Sequence, residues 1–156
     1  MTEYAYGLFP MHEFTAFIGT EQTAEEWTYA PLNEGLENVT EAINETVQQY
    51  YFFKDKGFAK NHVTGLAPIF TFTGRRVIGD AAQDYIFDKK YKLDKNRQSS
   101  FKMTYKNAEG KLVTLTCPCT IANPQEWSGG TAESSAISFE IRFDGKPTET
   151  VDTSGV

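Results

Sequence analysis

The sequence lacks the segments that would carry a chain into or across a membrane. None of its apolar runs approaches the roughly 20 residues that a transmembrane helix needs. The N-terminal stretch MTEYAYGLFPMHEF contains no lysine or arginine and already carries Glu3. A secretory signal would begin with a basic region, so the sequence gives no indication of export by the general route.

Cysteine is also scarce, and the two cysteines, Cys117 and Cys119, stand in the segment TCPCT. On a strand, residues i and i+2 point to the same face and lie too close in the chain for an easy disulfide. The pair lacks the CxxC spacing and has no nearby histidine, which argues against a zinc site. We expect buried or half-buried thiols in a reducing compartment.

Motifs for catalysis are missing as well. The chain contains neither GxSxG nor GxGxxG, and its two histidines stand apart from each other. Gly74 and Gly79 have the spacing of a Walker A loop, but Asp80 and Ala81 follow where that loop needs lysine and then serine or threonine. A carboxylate at that point would repel a phosphate. We therefore expect no enzyme activity, no metal and no cofactor.

Positive charge is absent from the first third of the chain. Residues Met1 to Phe53 include nine glutamates and no lysine, arginine or aspartate, whereas the rest carries 15 basic and 12 acidic residues, for a net charge of -6 overall. A protein that binds nucleic acid tightly is usually basic, so the acidic net charge argues against tight binding of nucleic acid. The split indicates either a solvated acidic face or two oppositely charged surfaces that meet between copies.

Alternation of apolar and polar residues is what the sequence does have, and it predicts a β-rich domain. Period-two patterns indicate half-buried strands, and Pro118 marks an edge or a bulge because it cannot donate to a ladder. The predicted strands lie in HEFTAFIG, EEWTYAPL (a short extended piece), APIFTFTG, SFKMTYK, KLVTLTCPCTIAN and AISFEIRF.

One helix is predicted directly after Asp80. Asp80 is a good N-cap, Gln83 completes a D-x-x-Q capping box, and Tyr85 and Ile86 should pack the helix onto the sheet. The segment LENVTEAINETVQQYYFF, residues 36–53, fits helical spacing and β composition equally well. Long loops are predicted at 54–65 and 123–134, and a loose polar tail from about residue 147.

The order of these elements resembles the major tail (tail tube) proteins of long-tailed bacteriophages that infect Gram-positive hosts. The most specific segment is VTGLAPIFTFTGRRVIGDAAQDYI, and ISFEIRFDGKPT is similar to the last strand of the family. The resemblance covers most of the chain. The family often has proline where Ala81 stands, and proline is favoured in the first helical turn, so this departure is neutral.

The resemblance implies a single mainly β domain over residues 1–156, with two packed antiparallel sheets in a sandwich or barrel-like tail tube fold and one flanking α-helix. It favours strands near 35–41 and 46–53. Six copies would form a ring whose inner strands make a continuous barrel, and stacked rings would form a tube in the phage tail, assembled in the host cytoplasm. The implied partners are further copies of the chain, the tape measure protein, and the tail terminator and distal tail proteins.

In such a tube an acidic lumen would let DNA pass without specific binding, because lysine or arginine contacts add counterion-release affinity. The charge split then suggests three groups of residues. The predicted lumen residues are Glu37, Glu41 and Glu45. The predicted ring-to-ring contacts are Lys54, Lys56 and Lys60. The predicted side-to-side contacts are Arg75, Arg76, Lys89, Lys90, Lys92 and Lys95.

Two alternatives remain open from the sequence. One is the inner tube of a contractile tail, a tailocin or a type VI-like apparatus. The other is a monomeric β-sandwich module that binds carbohydrate or protein, with Trp27 and Trp127 as stacking platforms. Both tryptophans could equally pack at an edge or an interface.

Overall fold

The computed structural model describes residues 7–152, which fold mainly into antiparallel strands. Within that range the structure has ten strands and one α-helix, together with short 3-10 turns at Met11–Glu13, Phe53–Asp55 and Asp94–Arg97. The strands are β1 (Thr15–Thr23), β2 (Glu26–Pro31), β3 (Leu36–Ala42), β4 (Thr46–Tyr50), β5 (Lys60–Gly65), β6 (Ile69–Arg75), β7 (Gln98–Lys106), β8 (Leu112–Gln125), β9 (Ala136–Phe143) and β10 (Thr148–Val151), and the helix α1 is Ala81–Asp88.

Eight strands form one hydrogen-bonded sheet in the order β2-β1-β7-β8-β9-β6-β3, with β10 also paired to β8. β8 is long enough to pair with two strands along the same edge: its first half pairs with β10 and its second half with β9. The strands β4 and β5 form a separate two-stranded sheet. The predicted mainly β fold with one helix is confirmed.

The large sheet folds over on itself into two facing layers. β6 and β7 are three strands apart in the hydrogen-bonding order, which would separate them by about 14 Å in a flat sheet. Yet the ring centroids of Phe70 on β6 and Phe101 on β7 lie 5.4 Å apart. Phe72 also meets Phe101, at 6.2 Å. The core therefore lies between the two halves of one sheet, which is the predicted sandwich arrangement.

The alternating positions of the predicted strands fill this core. Ile137, Phe139 and Ile141 of β9 are buried, and the residues between them are not. Cys117 and Cys119 of β8 are buried free thiols, as the spacing predicted. Burial raises the pKa of the Cys119 thiol well above its usual range, with a smaller contribution from nearby Asp144. A thiol that stays protonated at neutral pH is a poor nucleophile, so these cysteines act as core residues.

The helix closes one side of the sandwich, where it packs on β1, β2 and β8. Asp80 caps it, because the Gln83 backbone N–H donates to Asp80 Oδ2 at 3.1 Å. Ile86 is buried and Tyr85 packs against the core, as predicted, and Phe87 is buried as well. No helix in residues 7–152 is long and apolar enough to span a membrane.

The Gln83 side chain departs from the predicted capping box, because it turns into the protein instead of back to the cap. The residue is fully buried. Its Nε2 donates to the carbonyls of Glu34 and Arg75, at 2.8 and 3.0 Å, and its Oε1 accepts from the Val77 backbone N–H at 2.8 Å. One amide therefore joins the end of β6, the chain before β3 and the start of the helix.

Three stretches predicted as loop or tail contain strands. Lys60–Gly65, in the predicted 54–65 loop, pairs with β4 as β5. The last residues of β8 run into the predicted 123–134 loop as far as Gln125. Thr148–Val151, in the predicted loose tail, pairs with β8 as β10. Residues 36–53, ambiguous by pattern, contain β3 and β4, as the resemblance implied.

Candidate functional site: the assembly surfaces

The hairpin of β4 and β5, residues 46–65, forms an arm that leaves the end of the large sheet. The β3–β6 ladder ends at Ala42 opposite Ile69, and the arm begins with Thr46 opposite Gly65. The bend between them is held by the Ala67 N–H, which donates to the Ile43 carbonyl at 3.1 Å. Every residue of β4 is exposed. Because an isolated two-stranded hairpin is marginal in water, this arm gains little stability from its own chain.

The tip of the arm is an exposed aromatic cluster that the sequence analysis did not single out. We define the arm tip as Tyr51, Phe52, Phe53 and Phe58, which are all exposed large apolar residues. The predicted ring-to-ring lysines are exposed at this same end of the arm; they are Lys54, Lys56 and Lys60. An aromatic cluster edged by cations is typical of a protein-binding surface.

A cleft of about 570 Å³ opens beside the base of the arm, at one end of the sandwich. Met11, Val39, Met103 and Leu115 are among the apolar residues that line it, and Glu41 and Glu149 give it acidic groups. This negative charge affects the pKa of Tyr105, which also lines the cleft. Burial, the hydrogen bond that its hydroxyl donates to Glu149 Oε2 at 3.1 Å, and the negative charges of Glu149 and Glu41 together raise the pKa of Tyr105.

The three predicted lumen glutamates do not share a face. Glu41 lies opposite Phe70 in the β3–β6 register and lines the cleft. Glu37 stands at the bulge between Leu36 and Asn38 and lies 3.9 Å from Arg75 Nε. Glu45 is in the bend that leads into the arm. The structure therefore separates the side chains that the sequence analysis grouped.

The outward face of β3, β6 and β9 is polar. Thr40, Thr71 and Glu140 lie side by side in the register of these strands. Glu140 accepts from Arg142 Nη2 at 2.8 Å. Arg75 follows Thr71 and Thr73 on the same side of β6 and lies 3.9 Å from Glu37. This face carries hydroxyl groups and two arginines with acidic neighbours instead of a row of glutamates.

Two of the predicted side-to-side cations, Arg76 and Lys90, form ion pairs within their own chain. The Arg76 side chain is 8% exposed, and its Nε donates to Glu126 Oε2 at 2.7 Å. Lys90 Nζ donates to the other oxygen of Glu126 at 2.6 Å, and Arg76 Nη2 to Asp84 Oδ1 at 2.9 Å. Burial raises the pKa of Glu126, but the hydrogen bonds and charges of Lys90 and Arg76 outweigh it, so the pKa is lowered overall.

The other predicted side-to-side cations lie nearer the surface. Lys92 pairs with Asp88 one helical turn away, at 3.0 Å, and Lys89 Nζ lies over the Tyr85 ring at 4.6 Å. Arg75 and Lys95 are exposed. Exposed apolar side chains lie beside the lysines of this surface; they are Tyr91, Leu93 and Trp127.

The two tryptophans differ in their surroundings. Trp27 packs over β1, because a Cβ at Gly19 would lie 2.6 Å from its Cε3. Trp127 is exposed, and Lys90 Nζ lies 5.4 Å from the centre of its ring. One of the two proposed stacking platforms is therefore an edge-packing residue.

Groups of three or more histidine, cysteine, aspartate or glutamate side chains placed to hold a metal do not occur in residues 7–152. The surfaces that stand out in this range are the arm tip, the cleft and the cationic surface beside the helix. All of them are suited to contact with other macromolecules.

This chain is similar to known proteins in its three-dimensional structure and not in its sequence. No family model matches the chain, and no curated protein sequence is similar to it. The SPP1 tail tube, determined by solid-state NMR and cryo-EM, is similar with a TM-score of 0.68 and 16% identity over 93% of this chain and 80% of that chain.

Two further solved structures are similar across most of the chain. The tail of an empty GTA particle, refined with C6 symmetry, has a TM-score of 0.62 and 12% identity over 86% of this chain and 94% of that one. The sheath/tube terminator of the PVC extracellular contractile injection system has a TM-score of 0.60 and 13% identity over 93% of this chain and 97% of that chain. The chain therefore has the fold of proteins that build the tubes of phage tails and contractile injection systems.

Proposed function

We propose that this protein is a tail tube protein, whose copies form hexameric rings that stack into the DNA channel of a long-tailed phage. The observation that carries the proposal is the fold, which matches the SPP1 tail tube along 93% of this chain. The hexameric state is supported by the C6 symmetry of the similar GTA tail. The role is structural and needs no catalytic residues.

The proposed setting follows from this role. The tube is part of the virion, assembled in the cytoplasm of a Gram-positive host, and it surrounds the tape measure protein until the DNA enters. Terminator and distal tail proteins close its two ends. The fold of this chain is similar to that of a tube-terminating cap and of a sheath/tube terminator. This similarity supports the proposal that a terminator of the same fold binds the end of the tube.

In the proposed tube the outward face of β3, β6 and β9 lines the lumen. Its threonines offer no charge to bind phosphate, Arg142 is paired with Glu140, and Arg75 lies 3.9 Å from Glu37. Glu37 and Glu45 remain candidates for added negative charge at the edge of this face, whereas Glu41 is assigned to the cleft. A lumen without unpaired cations avoids the counterion-release affinity that would hold DNA in place.

The proposed side-to-side contact is centred on the exposed apolar groups beside the helix. Tyr91 and Leu93 supply apolar area, and Lys92 and Lys95 supply positive charge. Acidic surface of the neighbouring copy comes from its glutamate-rich first third. Arg76 and Lys90 contribute indirectly, because they fix the loop and helix that carry this surface.

The proposal is tested by electron microscopy of the purified protein. We expect negatively stained tubes with a central channel, and end-on averages with six-fold symmetry. Tubes should grow longer as the protein concentration rises. A compact monomer at every concentration and salt would contradict the proposal.

The inner tube of a contractile apparatus is the second candidate, because matched structures include a PVC sheath-tube complex. The two candidates differ in what surrounds the tube. Micrographs of the native particle should show a bare tube for a long-tailed phage, and an outer sheath for a contractile system.

A further inference from the structure

We propose that the outward face of β1, β2, β7 and β8 carries a binding site for a neutral saccharide, with the Trp27 ring as its stacking platform. The site is a cleft of about 460 Å³, separate from the cleft beside the arm. We call it the Trp27 cleft, and the lining side chains that matter for binding are Gln22, Trp27, Lys95, Gln98, Pro118 and Asp144. Such a site adds a binding activity that the proposed tube does not itself require.

Gly19 lets the Trp27 ring lie directly against the sheet. A Cβ at Gly19 would lie 2.6, 2.9 and 3.3 Å from three consecutive ring atoms of Trp27, which are Cε3, Cδ2 and Cγ. Any other residue at position 19 would therefore push the indole away from β1. One side of the ring is packed on the strand, and the ring also lines the Trp27 cleft. A ring that is already held in place loses little conformational freedom when a ligand stacks on it.

The other aromatic rings on this face are occupied by a lysine, whereas Trp27 is not. Lys102 Nζ lies 4.8 Å from the centre of the Phe17 ring and 4.4 Å from that of the Tyr29 ring. Among residues 7–152, no cation and no second aromatic ring packs on Trp27 in this way. Trp27 is therefore the ring of this face that is open to a ligand.

Polar groups with free hydrogen-bonding capacity stand around the ring. Gln22 and Gln98 are exposed, and neither side chain is hydrogen-bonded to another residue in the described part of the chain. Each amide offers a carbonyl acceptor and an NH₂ donor side by side, which suits neighbouring hydroxyls on a sugar ring. Asp144 Oδ2 accepts from Thr120 Oγ1 at 2.5 Å, and its other oxygen can accept from a further hydroxyl.

The charge and polarity of the site favour a neutral saccharide over an anionic polymer or a protein. The two charged residues that line the Trp27 cleft, Lys95 and Asp144, have opposite signs. None of the exposed large apolar side chains of residues 7–152 belongs to β1, β2 or β7, so a protein partner would find no apolar centre here. A pyranose ring combines C–H groups, which stack on an aromatic face, with hydroxyls at its edge, and the Trp27 cleft offers contacts for both.

The Trp27 cleft opens on the side of the sandwich that faces away from the proposed lumen. Ala30 of β2 and Phe101 of β7 are buried in the core. Because side chains alternate along a strand, Trp27 and Ser100, which both line the cleft, point outward from this layer. The proposed lumen face belongs to the other layer, with β3, β6 and β9. In the proposed tube the cleft therefore opens to the exterior, beside the side-to-side contact that shares Lys95. The available ligand there is a saccharide of a cell surface.

The first test is a glycan array probed with the unassembled protein. The array carries neutral oligosaccharides of glucose, galactose, rhamnose and N-acetylglucosamine, beside uronic-acid and sulfated ones. We expect binding to at least one neutral glycan and a loss of affinity of about tenfold for Trp27→Ala, which removes the stacking ring. Trp127→Ala is the matched control, because it removes an exposed indole from a different surface. It should bind within about twofold of the wild type.

A second variant separates loss of binding from loss of fold, since Trp27→Ala also removes packing over Gly19. Gln22→Ala/Gln98→Ala changes two exposed amides, so it should keep the wild-type midpoint of urea unfolding and still lose about tenfold in affinity. Gln49→Ala/Gln125→Ala, at exposed positions outside the cleft, should bind as the wild type does. Three results would overturn the inference: no binding to any neutral glycan, binding to anionic glycans only, or full binding by both cleft variants.

The last test compares tubes with single copies on a surface coated with the glycan that binds. This step rests on the proposed function, because a tube would present one Trp27 cleft per copy to the same surface. Multivalent contact should hold tubes about a hundredfold more tightly than single copies. Single copies that bind, together with tubes that do not, would contradict the outward position of the cleft. Wild-type protein that forms no tubes would contradict the proposed function, while the array still decides whether the site binds a saccharide.

Discussion

Replacing Arg76 by alanine should lower the free energy of unfolding by about 3 kcal/mol, the lower end of the usual cost of removing one partner from a buried ion pair, because Lys90 still pairs with Glu126. The substitution leaves Glu126, whose side chain is 9% exposed, with Lys90 as its remaining cation. The Val77 carbonyl loses its donor at 2.8 Å, and the Phe87 ring loses the guanidinium 5.1 Å from its centre. Urea unfolding of the unassembled protein measures the change.

The adjacent arginine provides the matched control. Arg75 is 44% exposed, donates to the Ser134 carbonyl at 3.0 Å, and lies 3.9 Å from Glu37. Exposed pairs of this kind contribute about 0–1 kcal/mol, so Arg75→Ala should change the unfolding midpoint only slightly. Equal shifts for the two variants would show that burial adds nothing to the Arg76 contacts.

The same ion pairs predict how stability depends on pH. Because the folded state lowers the pKa of Glu126, the stabilisation is fully present above the unfolded value, about 4.3, and is lost as the pH falls through the folded value. Wild-type protein should therefore lose stability as the pH falls below that unfolded value. The Arg76→Ala variant should lose less over this range, because it has already lost one of the two cations that hold Glu126 ionised.

Most of the core could be predicted from the sequence because buried strands carry their own signal. In β9 every second residue is apolar, and those residues are the buried ones. The arm shows the limit of this reasoning. β5 is exposed along almost all of its length, so no side chain had to be apolar and no alternation was present to find. β10 was missed for the same reason, since all four of its residues are exposed.

The assembly surfaces were harder to predict because they depend on contacts between distant parts of the chain. Arg75 and Arg76 look alike in the sequence, but Arg76 is buried by Glu126, which lies 50 residues further on. The cleft is lined by residues as far apart as Met11 and Glu149. Glu37 lies at a bulge, which breaks the simple spacing that grouped it with Glu41.

The glycine at the join between β6 and β3 has a physical reason that the sequence pattern did not reveal. A Cβ on Gly74 would lie 2.2 Å from the Gly35 carbonyl oxygen and 2.7 Å from the Leu36 Cα. Both are backbone atoms, so no side-chain rotation can relieve the overlap. The Gly35 oxygen is also held in place, because it accepts from the Arg75 N–H at 2.7 Å.

Gly74→Ala should therefore destabilise the protein by about 3 kcal/mol or more, the upper range for overpacking a well-packed site. It should also weaken tube growth, because β3 leads directly into the arm. Gly65→Ala is the control, since a Cβ there would meet Thr46 at an ordinary 3.5 Å. Urea unfolding and tube length by electron microscopy would compare the two. If both variants unfold at the wild-type midpoint, the close approach of β6 to Gly35 is not a constraint on the fold, and the β3 edge that carries the arm can shift at no cost.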